Sequence, residues 1–522
     1  MNKNAELVII GAGAAGLLAA VAAARLGIKA LVLESSELVG GDTATGSGQM
    51  WLPATHLAAT AGIFDSVENA VEYLGTILGE ETQASTSIRR AVFANTAPKL
   101  ARWLAASNLP LTLDRGVPDY HPADAGGLPE GRVVTTVPTD RRSLGDWAEK
   151  LRSKSPVEEA SHLKQFVRAF TGSEGHAATG GEALVAELLR RATANGVEIR
   201  LDAQIISLEN NDGIEVGVHV EGEDEILRPK ALLLSAGGFA GSQELREEYL
   251  PLPTNAEWSL MSHNTGKLLK LAAGLGAQLS AMNDAWWTPV TVIDGRAYSL
   301  DAARKAPHSL IVDQAGDRYI DEAAPGAQIV NRQYQRSRGT RTIPSYLIMD
   351  QRHRKAVGLG PWAAGDTKGE SEDLYSAKTL GGLADLLGID EPGFLGTVVR
   401  FNGFAHKGED QDFHRGESVW DRYALAHSKH AHVASLGKLT KKPYWAVKVY
   451  PGDEGTKGGL LIDENSQVID TQGETIPGFY ACGGAAASIM KGTSPGPGAA
   501  LSEALVEAYL AVIHFSKHRG LG

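Results

Sequence analysis

Three glycines near the N-terminus have the spacing of a phosphate-binding turn. Gly11, Gly13 and Gly16 lie between a short apolar run, Glu6 to Ile10, and an Ala/Leu-rich stretch. In such a turn the first glycine permits a tight bend, the second lets the backbone approach a pyrophosphate, and the third allows close helix–strand packing. The following helix offers free N–H groups and the positive end of its dipole. The spacing therefore predicts a dinucleotide site.

An acidic residue and three further glycine-dense turns identify the dinucleotide. Glu34 ends the next apolar run, 18 residues after Gly16, where a carboxylate accepts hydrogen bonds from ribose hydroxyls and repels a 2′-phosphate. The other turns are Gly40-Gly41, Ala236 to Gly238 and Cys482 to Gly484. Glycine turns spread over the whole chain are explained by one long dinucleotide that crosses the sheet. NAD-dependent enzymes, in contrast, usually bind their nucleotide in one compact half of the domain. The residues therefore favour FAD.

The elements that must position these residues follow from the apolar pattern. Residues 5–34 have the order strand, glycine turn, helix, strand, with Gly27 as a helix stop, which is a βαβ unit. Ala231 to Phe239, ALLLSAGGF, is a continuous apolar run that ends in glycines, as expected of a parallel strand covered on both faces. Residues 66–106 show helical periodicity, and Gly180 to Leu201 has the order helix, turn, strand. Residues 110–142 show no clear period and predict a long irregular segment.

The composition of the chain changes between about residues 285 and 445. Trp, Tyr, Arg, His and Pro become frequent there, and the regular alternation of strand and helix patterns is lost. We therefore predict an α/β protein in which a discontinuous Rossmann-type FAD-binding domain carries an inserted α+β catalytic domain. The predicted boundaries are 1–110, 166–284 and 446–522 for the FAD-binding domain, 111–165 for a loop or cap segment of the catalytic domain, and 285–445 for the inserted domain.

Composition excludes several other classes of function. The net charge of −12 argues against nucleic acid as a partner. The single cysteine, Cys482, excludes an internal disulfide and suits a cytoplasmic location. The sequence contains no metal-binding motif and no nucleophile elbow. It begins with no signal peptide, and no uninterrupted apolar run reaches the ~18 residues that span a bilayer.

Three segments carry a resemblance to a known family. Gly40 to Pro53, GGDTATGSGQMWLP, resembles the flavin-facing segment of the 3-ketosteroid Δ1-dehydrogenases, which belong to the fumarate reductase/succinate dehydrogenase flavoprotein superfamily. Tyr450 to Gly459, YPGDEGTKGG, and Ala487 to Ala500, ASIMKGTSPGPGAA, resemble C-terminal signatures of that family. The resemblance covers nearly the full chain. It implies non-covalent FAD, with the flavin ring between the FAD-binding domain and the inserted domain.

The glycine turns and the resemblance together assign a set of residues to the FAD site. They are Gly11, Gly13, Ala14, Ala15, Gly16, Glu34, Ser35, Gly40, Gly41, Thr43, Thr45, Gly46, Gly48, Gln204, Ile205, Ala236, Gly237, Gly483, Gly484, Gly498, Ala499 and Leu501.

The resemblance also implies a catalytic set. Tyr120 matches the family's base-side tyrosine, and Gly498 matches its backbone N–H donor to the ketone oxygen. Ser494 stands where the family usually has a tyrosine in the segment before that glycine, and Gly326 stands where a tyrosine commonly follows N-E-A-x-P. Tyr450 is a further candidate for contact with substrate.

An unperturbed tyrosine has a pKa near ~10, so a tyrosine base needs a neighbour that lowers its pKa or takes the proton onward. His121, His308 and Tyr319 are the candidates in the sequence. Arg318 is expected in a structural ion pair and Trp286-Trp287 in a domain-interface core. His353, between two arginines, is expected on a solvated face.

The family's reaction is α,β-dehydrogenation of a ketone. It needs donors to the carbonyl oxygen, a base for the α-proton, and FAD as acceptor of the β-hydride. The resemblance therefore implies desaturation of a cyclic ketone, either a 3-ketosteroid or a smaller cyclohexanone-type ring, with electrons passed to an external acceptor. Two alternatives are a fumarate-reductase-like enoate reductase and a flavin-bearing binding protein. The sequence leaves the oligomeric state open.

Overall fold

The computed structural model describes residues 5–153, 176–211, 213–366, 371–426 and 435–519. The α-helices are α1 (Ala14–Arg25), α2 (Gly41–Thr45), α3 (His56–Thr60), α4 (Val67–Leu78), α5 (Ser87–Ala106), α6 (Gly180–Ala194), α7 (Gln243–Tyr249), α8 (Lys267–Gly274), α9 (Asp301–Lys305), α10 (Gly326–Ser337), α11 (Gln351–Ala356), α12 (Leu380–Leu387), α13 (Glu391–Lys407), α14 (Val419–Ala426) and α15 (Ala499–His518).

The β-strands are β1 (Leu7–Ile10), β2 (Ala30–Leu33), β3 (Met50–Trp51), β4 (Leu111–Leu113), β5 (Val133–Thr136), β6 (Thr139–Asp140), β7 (Ala177–Ala178), β8 (Glu198–Arg200), β9 (Gln204–Asn210), β10 (Ile214–Val220), β11 (Glu223–Leu227), β12 (Ala231–Leu234), β13 (Leu279–Ser280), β14 (Ala285–Ile293), β15 (Arg296–Ser299), β16 (Ser309–Val312), β17 (Ser345–Met349), β18 (Tyr375–Ala377), β19 (Tyr444–Thr456), β20 (Gly459–Leu460), β21 (Gln467–Ile469) and β22 (Thr475–Ala481).

The first large sheet has the strand order β21-β22-β12-β1-β2-β8. Its strands β22, β12, β1, β2 and β8 are parallel, and β21 pairs antiparallel at one edge. All residues of β1, β2 and β12 are buried. The continuous apolar runs that predicted doubly covered parallel strands therefore form the centre of this sheet.

Successive side chains of the central strands point to opposite faces, and each face has its own core. Leu7 and Ile9 pack with α1, α5, α6 and α15. Val8 and Ile10 pack on the other face, with residues of β9, β10 and α8. The predicted Rossmann-type α/β layer is present.

The second large sheet is antiparallel and has the order β15-β14-β19-β17-β16, with β18 also paired to β19. Most of it lies in the segment predicted to form the inserted domain. Strand β19 continues to Thr456 within this sheet, so the chain returns to the first sheet later than the predicted boundary at 446.

The segment 110–142 contains strands that the sequence analysis missed. β5 pairs with both β3 and β4 in a three-stranded sheet. The prediction of an irregular segment was wrong for β4 and β5, because strands of three and four residues are too short for their period to be recognised. The predicted cap segment 111–165 extends in part outside the described residues.

One described helix, α15, is long and apolar enough to cross a bilayer by length and composition: it has 20 residues, and its most apolar 18-residue window has a mean hydropathy of 1.3. Of its most apolar window, 56% is buried inside the molecule. Leu505, Val506 and Val512 of α15 belong to the core under α1. The helix therefore packs as a core helix of the first sheet.

Candidate active site

Four parallel strands of the first sheet end at the same edge, and the glycine turns follow them there. Gly11 follows β1, Glu34 follows β2, Ala236-Gly237 lie just beyond β12, and Gly483-Gly484 lie just beyond β22. Open α/β sheets bind their ligands outside the carboxyl ends of the strands. The order of the strands places these turns in a row, from the acidic residue at one end to Gly484 at the other.

The first glycine turn has the shape that a pyrophosphate requires. Gly11 has a φ of +107°, and a Cβ on it would lie 2.5 Å from the Ser235 carbonyl oxygen. A Cβ on Gly16 would lie 2.0 Å from the Gly11 oxygen. A Cβ on Gly13 would meet nothing nearer than the Gly40 oxygen at 4.0 Å. The first and third glycines are therefore needed for protein packing, and the second borders open space, as a dinucleotide site demands.

The acidic end of the row has the features of an adenosine site. Glu34 accepts hydrogen bonds from the backbone N–H groups of Ala12 at 2.8 Å and Ser36 at 3.0 Å, which orient its carboxylate. The Gln204 side-chain amide donates to the Ser35 carbonyl at 2.6 Å, and Ile205 beside it is buried. These predicted FAD-site residues are thus neighbours.

The segment after Gly40 lies against the first turn. The Gly40 N–H donates to the Ala12 carbonyl at 2.9 Å, and the segment then forms α2, which carries Thr43 and Thr45. A Cβ on Gly48 would lie 2.2 Å from the Gly180 carbonyl carbon, so only glycine allows this approach to the start of α6. Gly41 and Gly46 begin and end the short helix.

The opposite end of the row lies at the N-terminus of α15. The Gly483 N–H donates to Glu507 at 2.9 Å, and a Cβ on Gly484 would lie 2.8 Å from the Gly238 nitrogen. Gly498 caps α15 with a φ of +83°, and a Cβ on it would lie 2.1 Å from the Gln49 oxygen. Ala499 and Leu501 form the first turn of the helix, whose N–H groups and dipole favour negative charge.

The Tyr120 loop is joined to the segment that precedes Gly498. The Tyr120 N–H donates to the Pro495 carbonyl at 3.0 Å. The Tyr73 hydroxyl donates to the same carbonyl at 2.8 Å and accepts from the His121 N–H at 3.1 Å. His121 also lies 3.2 Å from the Thr493 hydroxyl. Tyr120, Ser494 and Gly498 are thereby held on adjoining segments, as the resemblance implies.

A buried ion-pair network anchors the base of this loop. Arg132 donates at 2.8 Å to Asp119 and at 2.8 Å to Asp65, and all three side chains are about 1% exposed. The Trp51 indole N–H donates to the second oxygen of Asp119 at 2.7 Å. Because Asp119 directly precedes Tyr120, this network fixes the position of the tyrosine.

The Tyr120 ring packs edge-on against Trp420, with 4.6 Å between the ring centroids. Burial raises the pKa of the Tyr120 phenol well above its usual value, and the nearby carboxylates of Asp301 and Glu454 raise it further. The phenol is therefore neutral at physiological pH. As predicted from the sequence, a Tyr120 base needs a neighbouring group to which it can pass the proton.

Ser494 and Gly326 occupy the two positions where the family usually has a tyrosine. The Ser494 hydroxyl donates to the Gly496 carbonyl at 3.2 Å, so it must turn away before it can bind a ketone. Gly326 begins α10, and a Cβ on it would lie 2.9 Å from the Trp287 carbonyl oxygen. A tyrosine at position 326 would require the helix to move away from β14.

The remaining candidates lie in other surroundings. Tyr450 stacks on Trp258 at 4.8 Å, and burial raises its pKa. The side chain of His308 contacts the Lys438 carbonyl at 2.9 Å, and that of Tyr319 contacts the Ser345 hydroxyl at 2.9 Å. The structure brings neither of them against Tyr120.

Three structural expectations can be compared with the described residues. Arg318 forms buried ion pairs with Glu322 and Asp410, both at 2.7 Å, as expected. Trp287 is buried in the core that covers the first sheet. The expectation for His353 was wrong: it is buried, it contacts the Ala303 carbonyl at 2.7 Å, and burial lowers its pKa to about 4.

Comparison with known proteins identifies the family of this chain. The sequence matches the FAD binding domain family over residues 6–501. The chain belongs to this family. The chain is 31% identical to a 3-oxosteroid 1-dehydrogenase of Mycobacterium tuberculosis over 99% of both chains. It is 30% identical to a 4-oxocyclohexanecarboxylate 2-dehydrogenase of Sinomonas cyclohexanicum, over 97% of this chain and 92% of that one.

A solved structure has nearly the same fold as this chain. The crystal structure of a 3-ketosteroid Δ1-dehydrogenase from Sterolibacterium denitrificans, in complex with 1,4-androstadiene-3,17-dione, superposes with a TM-score of 0.90 at 29% identity. It covers 98% of this chain and 99% of that one. The resemblance seen in the sequence is confirmed, and FAD is the cofactor.

Two residues of the site escaped the sequence analysis. Asp301 and Glu454 both act electrostatically on Tyr120, although 181 and 334 positions separate them from it in the sequence. Glu454 lies inside YPGDEGTKGG, a segment recognised for its glycines. Asp301 is followed by Arg304 and Lys305 at helical spacing, a pattern that more often marks a solvated helix face.

Proposed function

We propose that this protein is an FAD-dependent dehydrogenase that introduces a C=C bond next to the carbonyl group of a cyclic ketone. The observation that carries the proposal is the junction of the Tyr120 loop with the Pro495–Gly498 segment, at the FAD end of the first sheet. Relatives that are 3-oxosteroid and 4-oxocyclohexanecarboxylate dehydrogenases over nearly their full length support the same class of substrate.

The N-terminus of α15 is suited to bind the ketone oxygen. Gly498 supplies a backbone N–H at a helix N-terminus, where the dipole favours the negative charge of a developing enolate. Ser494 would be a second donor once its hydroxyl leaves the Gly496 carbonyl, directly or through a water molecule. Removing one such donor typically costs about 3–4 kcal/mol of transition-state stabilisation.

Tyr120 is suited to accept the α-proton of the ketone, because the Asp119 network fixes its loop beside the Pro495–Gly498 segment. The residues of the glycine row hold the cofactor non-covalently: Gly13 leaves room for the pyrophosphate and Glu34 binds the ribose. FAD, when bound, supplies the acceptor of the β-hydride. An external electron acceptor then completes the cycle.

The test is reduction of the enzyme-bound flavin under anaerobic conditions by a panel of saturated ketones. The panel contains 3-ketosteroids, unsubstituted cyclohexanones and 4-oxocyclohexanecarboxylate, and absorbance near the flavin maximum is followed by stopped flow. We expect at least one cyclic ketone to bleach the flavin and to yield the α,β-unsaturated product. Ser494 and Gly326 both carry less bulk than tyrosine, so ring size is the property that the panel must resolve.

Two results would count against the proposal. One is the absence of bleaching by every cyclic ketone in the panel. The other is rapid reoxidation of the dithionite-reduced enzyme by an enoate, which would assign the enoate reductase direction instead.

A further inference from the structure

Glu454 projects from the middle of a buried strand. In β19, Asp453 is paired with Trp287 and Thr456 with Ala285, so two residues of β19 face the single residue between these partners. This is a β-bulge, a feature that re-aims side chains and is frequent beside active sites. Asp453 points into the core, where it pairs with Arg246 at 2.7 Å and both side chains are 0% exposed. The next side chain, Glu454, is exposed although its neighbours in the strand are buried.

Glu454 is solvent-accessible, and yet protein surrounds it. Desolvation by the surrounding protein raises the pKa of Glu454 to about 7, with further contributions from the carboxylates of Asp301 and Asp453, against the opposing charge of Lys305. A side chain at the outer surface would not be desolvated in this way. Glu454 therefore lines a cavity in which water or a ligand can reach it.

Tyr120 borders the same cavity. Asp301, whose side chain is 51% exposed, accepts from Lys305 at 2.6 Å. The Lys305 ammonium group lies 4.6 Å from the centre of the Trp420 ring, and Trp420 packs edge-on against Tyr120. Asp301 and Glu454 both raise the pKa of the Tyr120 phenol. The four side chains therefore form one cluster around the tyrosine that the proposed function places at the α-proton.

Among the charged groups of this cluster, only Glu454 suits the role of proton acceptor near neutral pH. Burial opposes the ionisation of Asp301, but Lys305 and Arg304 outweigh it and lower the Asp301 pKa, so this carboxylate is a weak base. The Tyr120 phenol is neutral and needs a partner to receive its proton. Within the described part of the chain, no cation forms an ion pair with the Glu454 carboxylate. A base is most effective when its pKa lies near the working pH.

We propose that Glu454 is the terminal proton acceptor of the dehydrogenation, with the Tyr120 hydroxyl between it and the substrate. The inference rests on the proposed function. As the α C–H bond breaks, its electron pair forms the enolate and its proton passes to the Tyr120 oxygen. The phenolic proton of Tyr120 passes at the same time through a bridging water molecule to Glu454, which becomes a neutral carboxylic acid. Bound FAD would supply the acceptor for the β-hydrogen and its two electrons, and the product would then carry one additional C=C bond.

Hydrogen–deuterium exchange at the α-carbon tests this role separately from flavin reduction. Holoenzyme reduced with dithionite is incubated in D₂O with the best saturated ketone, and deuterium incorporation is followed by NMR. We expect wild-type exchange to rise with pH through an apparent pKa near 7, because Glu454 must be ionised to accept a proton. Glu454→Gln should slow exchange ~10²-fold or more and remove this pH dependence, whereas Glu454→Asp should restore part of the rate.

Two further variants complete the experiment. Glu474→Gln, an exposed acid on a turn of the FAD-binding domain, is the matched control and should exchange like wild type. Asp301→Asn removes a negative charge near Glu454 and should shift the apparent pKa of exchange downward. If Glu454→Gln loses its flavin or fails to fold, the Asp301→Asn variant tests the proposal instead. A lower apparent pKa of exchange supports the proposal, and an unchanged one overturns it.

The failures of the two proposals are distinguishable. Wild-type protein that neither exchanges the α-proton nor bleaches with any ketone would contradict the proposed function. Wild-type protein that does both, with a Glu454→Gln variant that matches it at every pH, would leave the function standing and exclude Glu454 as the acceptor.

Discussion

Tyr120 and Ser494 contact different parts of the ketone in the proposed reaction, so their removal should have unequal effects. Tyr120→Phe deletes the hydroxyl but keeps the ring packed on Trp420, and we expect flavin reduction at saturating ketone to fall ~10²-fold or more. Ser494→Ala should slow it less, because the Gly498 N–H remains as a donor. Anaerobic stopped flow measures both rates, with flavin content as the check on folding.

Tyr298→Phe is the matched control, since Tyr298 is a half-buried tyrosine that packs in the core of the second sheet. It should bleach like wild type. A Tyr120→Phe rate equal to that of wild type would exclude Tyr120. A Ser494→Ala rate below that of Tyr120→Phe would reverse the two assignments.

At the residue scale, sequence reasoning found the groups that sit in recognisable segments and missed those assembled by the fold. Tyr120, Ser494 and Gly498 were identified from segments that resemble the family. Asp301 and Glu454 act electrostatically on Tyr120 only because the fold brings distant parts of the chain near one another. His353 was placed wrongly, because its charged neighbours suggested solvent. Arg354 in fact lies 6.0 Å from the ring centres of Trp362 and Trp445, inside the domain.

At the scale of elements, the Arg132 network fastens the Tyr120 loop to the body of the protein. Arg132→Met leaves Asp65 and Asp119 buried without their cation, which should cost about 3–5 kcal/mol of stability. Arg115→Met is the control, because Arg115 pairs with Glu130 at 59% exposure and such a surface pair is worth about 0–1 kcal/mol. Thermal unfolding of both variants should show a large decrease in Tm for the first only. Equal decreases would contradict the anchoring role.

The glycine turn between β1 and α1 allows cofactor binding to be separated from folding. Gly13→Val places its side chain in open space, so the apoprotein should fold normally but bind no FAD. Gly16→Val would drive its Cβ against the Gly11 oxygen, at 2.0 Å before any adjustment, and should impair folding itself. Circular dichroism and the flavin absorbance of the purified variants distinguish the two effects. A yellow Gly13→Val protein would show that the pyrophosphate does not pass this glycine.

The elements were predicted best where burial imposes a strong pattern. Strands β1, β2 and β12 are continuous apolar runs next to glycines, and α4 and α5 have clear helical periods. β4 and β5 were missed because short strands show too few alternations. The predicted end of the inserted sheet was too early, because β19 crosses the predicted boundary. The second half of β19, PGDEGT, contains two glycines and a proline, residues that are rare in strands and hide the strand pattern.

At the scale of the whole molecule, the site is built from distant parts of the chain. The N-terminal segment provides Tyr120 and the C-terminal segment Gly498. Helix α9 provides Asp301, and strand β19 provides Glu454. A flavocytochrome c3 fumarate reductase shares the fold, with a TM-score of 0.67 at 21% identity. The fold therefore supports more than one flavin chemistry, and the side chains around the ketone must decide which reaction occurs.

The molecule offers one dinucleotide site in the residues described, and this limits the source of electrons. The first sheet carries the glycine row at its carboxyl edge, while the second large sheet is antiparallel and has no glycine turn that opens a helix against parallel strands. NADH would need such a site close to the flavin. We therefore expect NADH to leave the flavin oxidised over minutes, while the best saturated ketone reduces it within the turnover time. Artificial quinone-type or phenazine acceptors should then reoxidise it and support continuous formation of the enone. Anaerobic stopped flow with NADH, with ketone, and with ketone followed by acceptor gives all three results on one preparation. Rapid bleaching by NADH would mean that a nicotinamide site exists in this chain, and the flow of electrons would then run from NADH to substrate.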